Sequence, residues 1–150
     1  MLELRDLIKP EHIFLDLESN DRFDVIHQIV SRMTGLDPAI DLVQFEAEVT
    51  KREREIPTGL QMGAALPHAR SKGIPEVIMA FARLQEGVDF GAQTEETARL
   101  VFLFGVPSDA INEYLKLVAK LCRLLREKTF RSKLLSAENA EEVIAIFQKT

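Results

Sequence analysis

The sequence predicts a mixed α/β (α+β) domain: a central mixed sheet of about five strands, flanked by helices on both faces in three layers. Three observations support this. Strand-like apolar runs (HIFLDL, VIMAFARL, LVFLFGV) alternate with segments whose apolar residues recur at helical spacing. The run Leu100 to Val106 is almost continuously apolar, the mark of a strand covered on both faces. Helical segments also lie towards both ends of the chain, with the strands between and around them. At 150 residues, without internal repeat, low-complexity tract or linker, the chain is expected to form a single domain over 1–150.

Taken in order, His12 to Leu17 reads as a strand with Ile13, Leu15 and Leu17 on one face and His12 at its edge. Ser19 or Asn20 can cap the next helix, whose apolar positions are Phe23, Ile26, Val30 and Met33. Gly35 ends it, and His27 sits at the boundary of its apolar face. Asp37-Pro38 signals a second helix start, an acidic cap followed by proline at the first helical position. Leu42, Phe45 and Val49 form the stripe of that helix, which runs to about residue 54.

Ala64 to Leu66 reads as a short strand stopped by Pro67, and Val77 to Leu84 as a longer one. Gly87 to Phe90 then turns the chain into a shorter strand. Ala110 to Glu127 is the longest helix, with Leu115, Val118, Cys122 and Leu125 as its stripe, so Cys122 is expected in the core. A short helix around Phe130 to Leu135 and a last one from about Glu138 to Phe147, capped by Ser136, complete the order.

Bulk composition excludes several classes. Hydrophobic content of 46% and charged content of 29% belong to a globular protein, and no apolar stretch approaches bilayer-spanning length. A net charge of −5 argues against nucleic-acid or anionic-membrane binding. The opening MLELRDLIKP carries acidic residues where a signal peptide needs a basic and then an apolar run. The lone Cys122 has neither a disulfide partner nor a metal-ligand cluster. A cytoplasmic protein without metal or cofactor is expected.

Chemistry concentrates in Lys51 to Arg70, KREREIPTGLQMGAALPHAR. Arg52, Glu53, Arg54 and Glu55 occupy the last turn of a helix, where a solvated charge run is the bland reading and an arginine turned inward the sharper one. Gly59 and Gly63 follow, then Pro67-His68-Ala69-Arg70. Glycines let backbone N–H groups converge on an anion, arginine offers a fixed fork of donors, and histidine is the nucleophile or base available near neutral pH. Neither the P-loop nor the dinucleotide fingerprint is present. A turn with a structural histidine stands as the alternative.

The same residues carry a resemblance. Arg52-Glu53, Pro57-Thr58-Gly59, Gly63 and Ala64-Ala65-Leu66-Pro67-His68 resemble the motif of the enzyme IIA domains of the bacterial phosphoenolpyruvate-dependent phosphotransferase system, mannitol/fructose type, which includes a nitrogen-regulatory member. The opening LRDLIKPEHIFLDL, the strand ending Gly105-Val106-Pro107 and Leu115 to Lys120 fit the same pattern. The resemblance implies that His68 is phosphorylated by a histidine-containing phosphocarrier protein, with Arg52 beside it. Thr58 and the amides around Gly59 and Gly63 are candidate phosphate-binding groups; Arg70, ranked below them, could add charge or dock a partner. No cofactor is implied.

The acceptor would be an enzyme IIB domain in sugar uptake, or regulated proteins in a nitrogen-type role. The absence of a fused IIB, IIC or carrier domain favours the regulatory version. Three departures stand out: Pro57 where the family often has serine, Gln61 where it often has glycine, and Ile111 at the register expected for a second histidine of sugar-transporting members. A non-phosphorylated interaction module is a further alternative. A hydrolase using His68 with Glu53 is weaker, lacking a nucleophile–base–oxyanion set.

Overall fold

A computed structural model describes residues 2–150. The elements are α1 (Leu4–Leu7), a 3-10 turn (Pro10–His12), β1 (Ile13–Leu17), α2 (Arg22–Arg32), α3 (Leu42–Glu55), β2 (Ala64–Ala65), β3 (His68–Ser71), β4 (Ile78–Val88), β5 (Ala98–Pro107), α4 (Ile111–Leu125), α5 (Lys128–Ser136) and α6 (Ala140–Gln148). The sheet runs β1-β4-β5, and β2 and β3 share the far edge of β5. β4 and β5 are antiparallel; β1 lies parallel to β4, and β2 and β3 lie parallel to β5. This is the expected five-strand mixed sheet between two helical layers.

Alternation along β4 and β5 builds two cores. Met79, Phe81, Leu100, Phe102 and Phe104 face α4, α5 and α6, packing with Leu117, Leu121, Leu125, Leu134 and Phe147. Ile78, Ala80, Ala82, Val101 and Leu103 face α2 and α3, against Val25, Ile26, Ile29, Phe45 and Val49. Burying each phenylalanine of the first set contributes about 1.5–3 kcal/mol, so that face holds much of the apolar stabilisation. The second face is lined by smaller residues. At Gly105 an added Cβ would lie 3.0 Å from Phe45 Cζ, so glycine lets Phe45 of α3 rest directly on the sheet beside β3.

Several local expectations are corrected. Asp16 adopts φ +61° and the β1 register slips between Phe14 and Leu17, so Leu17 joins the α2/α3 core while Ile13 and Leu15 stay with the other. The bulge aims Asp16 at the buried Arg83, whose Nη2 donates to Asp16 Oδ1 at 3.1 Å and whose Nη1 donates to the Leu134 and Ala137 carbonyls. Arg83 thus ties the end of α5 to the sheet. His12 is a buried member of the 3-10 turn, its Nε2 2.8 Å from the Thr34 carbonyl, rather than a strand-edge residue.

Asp37-Pro38 makes a turn closed by the Ala39 N–H on Asp37 Oδ1, and the cap of α3 is Asp41. Asp21 and Asn139, not Ser19, Asn20 or Ser136, cap α2 and α6. β4 continues through Gly87 to Val88 instead of turning there. In α4 the buried stripe is Tyr114, Leu117, Leu121 and Leu125; Leu115 is 54% exposed, and Cys122 is half-buried at the flank.

Candidate functional site

β3 is an edge strand, so its outer side is free to border a cleft. Pairing of His68 with Phe104 and of Arg70 with Val106 fixes the register. Ala69 and Ser71 turn towards the α3 side, where the Ser71 hydroxyl donates to Glu48 Oε1 at 3.0 Å; His68 and Arg70 turn the other way. The last turns of α3 bring Glu48, Lys51, Arg52 and Glu55 to the same place, and the start of α4 brings Ile111 and Tyr114. These residues enclose a cleft of about 480 Å³.

The His68 ring is fixed on two sides. Its Nδ1 lies 2.9 Å from the Leu66 carbonyl, and its centroid lies 5.5 Å from that of Tyr114. A carbonyl only accepts, so Nδ1 carries the proton and Nε2 keeps the lone pair. Burial lowers the His68 pKa; the Leu66 bond raises it and the Arg52 charge lowers it further, with a net shift downward. The imidazole is therefore neutral at physiological pH, with its lone pair on Nε2.

The titration of His68, followed by ¹H–¹⁵N NMR, is expected to have its midpoint below the ordinary 6.5. It is expected to move upward in Arg52→Gln. A depressed native pKa means that the protein loses the associated stability as pH falls through 6.5 towards the native value, and has it in full above 6.5.

Arg52 and Arg70 take no part in the ion pairs among the described residues, so both guanidinium groups are free to meet an anion in the cleft. Thr58, Gly59 and Gly63 are placed differently. The Thr58 hydroxyl donates to Glu53 Oε1 at 2.6 Å and its N–H to Glu53 Oε2 at 3.1 Å. The Gly59 N–H donates to the Phe90 carbonyl, and an added Cβ there would lie 2.8 Å from that oxygen. Gly63, at φ +71°, turns its carbonyl to the N–H groups of Arg99 and Leu100. None of these three residues lines the cleft; the Thr58 hydroxyl and N–H, the Gly59 N–H and the Gly63 carbonyl are committed to protein partners in the loop behind it.

Sequence reasoning met Glu53 only as part of the Arg-Glu motif and of the weaker hydrolase alternative, not as a buried anchor, and passed over Tyr114. Glu53 is 1% exposed and holds the loop to α3; Arg22 Nε lies 3.5 Å from its Oε2. Its signal was position, since Glu53 continues the buried i, i+4 series of Phe45 and Val49. Tyr114, one turn beyond Ile111, is the α4 side chain set against the imidazole, while Ile111 lines the cleft without a polar group.

No helix among the described residues is long and apolar enough to cross a membrane. The chain is 28% identical over 148 residues to the PTS system fructose-specific EIIABC component of Bacillus subtilis, covering 99% of this chain but 23% of that protein. It is 27% identical over 145 residues to a nitrogen regulatory protein of Bradyrhizobium diazoefficiens, covering 97% of this chain and 94% of that one. The crystal structure of the nitrogen regulatory protein IIA-Ntr of Neisseria meningitidis superposes with a TM-score of 0.88 at 28% identity, covering 96% of this chain and 98% of that one. Residues 6–150 match the family model of the phosphoenolpyruvate-dependent sugar phosphotransferase system, EIIA 2, and the chain belongs to that family.

Proposed function

We propose that residues 1–150 form one enzyme IIA domain that carries a phosphoryl group on Nε2 of His68, received from the phosphohistidine of a small carrier protein. The observation that carries this reading is the Leu66 carbonyl on Nδ1, which leaves Nε2 as the nucleophile in a cleft shared with Arg52. The N–P bond on the donor imidazole breaks as a new one forms at Nε2, and the donor ring leaves as a neutral imidazole. Positive charge that develops on the His68 ring is met by the Leu66 oxygen. Charge on the equatorial phosphoryl oxygens is met by Arg52, with Arg70 nearby.

A regulatory role is favoured over sugar uptake. Its support is the likeness to nitrogen regulatory proteins together with Ile111, which offers the phosphoryl group neither a proton nor a donor. A phosphoryl group in this cleft changes the charge of a partner-facing surface, which is sufficient to switch an interface. Transfer to an enzyme IIB cysteine is the competing reading, supported by the likeness to the fructose-specific component.

Incubation with phosphoenolpyruvate, enzyme I and the carrier protein is expected to add one acid-labile phosphoryl group, mapping to His68 and bonded through Nε2 by ³¹P and ¹⁵N NMR. No mass gain would overturn the carrier reading in favour of a binding module. Rapid discharge to a sugar-permease IIB domain would overturn the regulatory one.

A further inference from the structure

We propose that the Tyr114 hydroxyl donates a hydrogen bond to the phosphoryl group on His68, making Tyr114 a second phosphoryl-stabilising residue of the cleft. The inference rests on the carrier reading and names the group that α4 contributes to it. Tyr114 is held between two rings: His68 at 5.5 Å with a 35° tilt, and Phe104 at 5.4 Å edge-on. Its ring is therefore fixed, and the side chain is only 6% exposed. It nevertheless lines the cleft with His68 and Arg52.

A buried tyrosine ordinarily gives its hydroxyl a protein partner. Tyr114 has none among the described residues, and its hydroxyl is not among the buried atoms closed off from solvent without a partner. Tyr114 lines the same cleft as His68 and its ring lies against the imidazole, and the proposed bond runs from its unpaired O–H to whatever His68 carries. Ile111 and Tyr114 are the two α4 residues that line the cleft, and only the tyrosine has a donor.

Protonation suits the role. Burial is the main cause pushing the Tyr114 pKa up, to about 12, with Cys122 adding to the rise and the Arg52 charge opposing it. The phenol stays a neutral donor and never presents a phenolate to the phosphoryl oxygens. Arg52 acts by charge and Tyr114 by a directed, uncharged bond, both aimed where charge develops.

The test compares wild type, Tyr114→Phe and Tyr114→Leu for the rate of phosphoryl uptake from the phosphorylated carrier, the hydrolytic lifetime of the phosphohistidine, its ³¹P shift and the unfolding midpoint. Tyr114→Phe keeps the ring and loses only the hydroxyl. It is expected to unfold with the wild type, to be phosphorylated on His68 roughly 10- to 100-fold more slowly, and to show a shifted ³¹P resonance. A Tyr114→Phe variant with wild-type uptake and ³¹P shift, with only Tyr114→Leu impaired, would reduce Tyr114 to a packing platform and overturn this proposal alone. A wild-type protein that takes up no phosphate overturns both this proposal and the carrier reading.

Discussion

His68→Ala is expected to abolish phosphoryl uptake, and Arg52→Gln to slow it by roughly 10²–10³-fold, with neither change unfolding the protein. The arithmetic follows from what each group supplies. In the proposed carrier role His68 provides the atom to which phosphorus bonds, and no other imidazole lines the cleft. Arg52 provides charge where charge develops, and no carboxylate pairs with it among the described residues. Arg70 and Lys51 border the same cleft, so some stabilisation survives its loss, while Glu48 and Glu55 oppose an anion there. Arg70→Gln is accordingly expected to have a smaller effect than Arg52→Gln. Stability should hold because β3 is retained by its backbone ladder to β5, and Arg52 is exposed. Uptake rates with the phosphorylated carrier, beside urea unfolding curves, check both halves. Phosphate on His12 or His27 of the alanine variant would refute the assignment, although His12 is buried against Thr34 and His27 lies across α3 paired with Glu46.

How far the sequence disclosed this arrangement depends on how local each signal was. β5 declared itself because a strand buried on both faces has no polar positions to blur it. The helix that carries Arg52 was legible from Phe45 and Val49, and the proximity of Arg52 and His68 from the motif that joins them. The stripe of α4 was misplaced because Leu115, Val118, Cys122 and Leu125 and the buried Tyr114, Leu117, Leu121 and Leu125 are both apolar series at helical spacing. Periodicity alone cannot choose between two such faces; the sheet does, and that choice sets Tyr114 against the histidine. Asp16 was unreadable for a different reason. A bulge that flips Leu17 to the other core is stabilised by Arg83, 67 positions away, and no local pattern carries that information. Gly59 and Gly63 were read as offering backbone amides to an anion, but the Gly59 amide meets the Phe90 carbonyl and the Gly63 carbonyl meets the Arg99–Leu100 segment, partners distant in sequence. An amide that looks free in a glycine loop is already bonded in the fold.

Thr58→Val is expected to destabilise the protein by about 2–3 kcal/mol at neutral pH, and by distinctly less in mild acid. Glu53 is the reason. Its carboxylate is buried beneath the loop, and its close donors are the Thr58 N–H and hydroxyl, with Arg22 Nε more distant at 3.5 Å. Burial is the largest influence on Glu53 and raises its pKa above the ordinary 4.5, while the Thr58 bonds and then the Arg22 charge pull it back. A raised native pKa means that stability falls as pH rises from the unfolded value through the native one. Removing the hydroxyl raises the native value further, so the variant goes on losing stability over a wider pH range. The gap between the two proteins is therefore smallest below 4.5 and full once Glu53 is ionised in both. Urea unfolding at several pH values reads this directly. Glu53→Gln provides the control: with no ionisation at position 53, the effect of Thr58→Val should become independent of pH. A pH-independent gap in the wild-type background would show that the threonine matters through loop packing alone. Because Glu53 adjoins Arg52 on the last turns of α3, loss of this anchor should also slow phosphoryl uptake, coupling a buried carboxylate to the charge that faces His68.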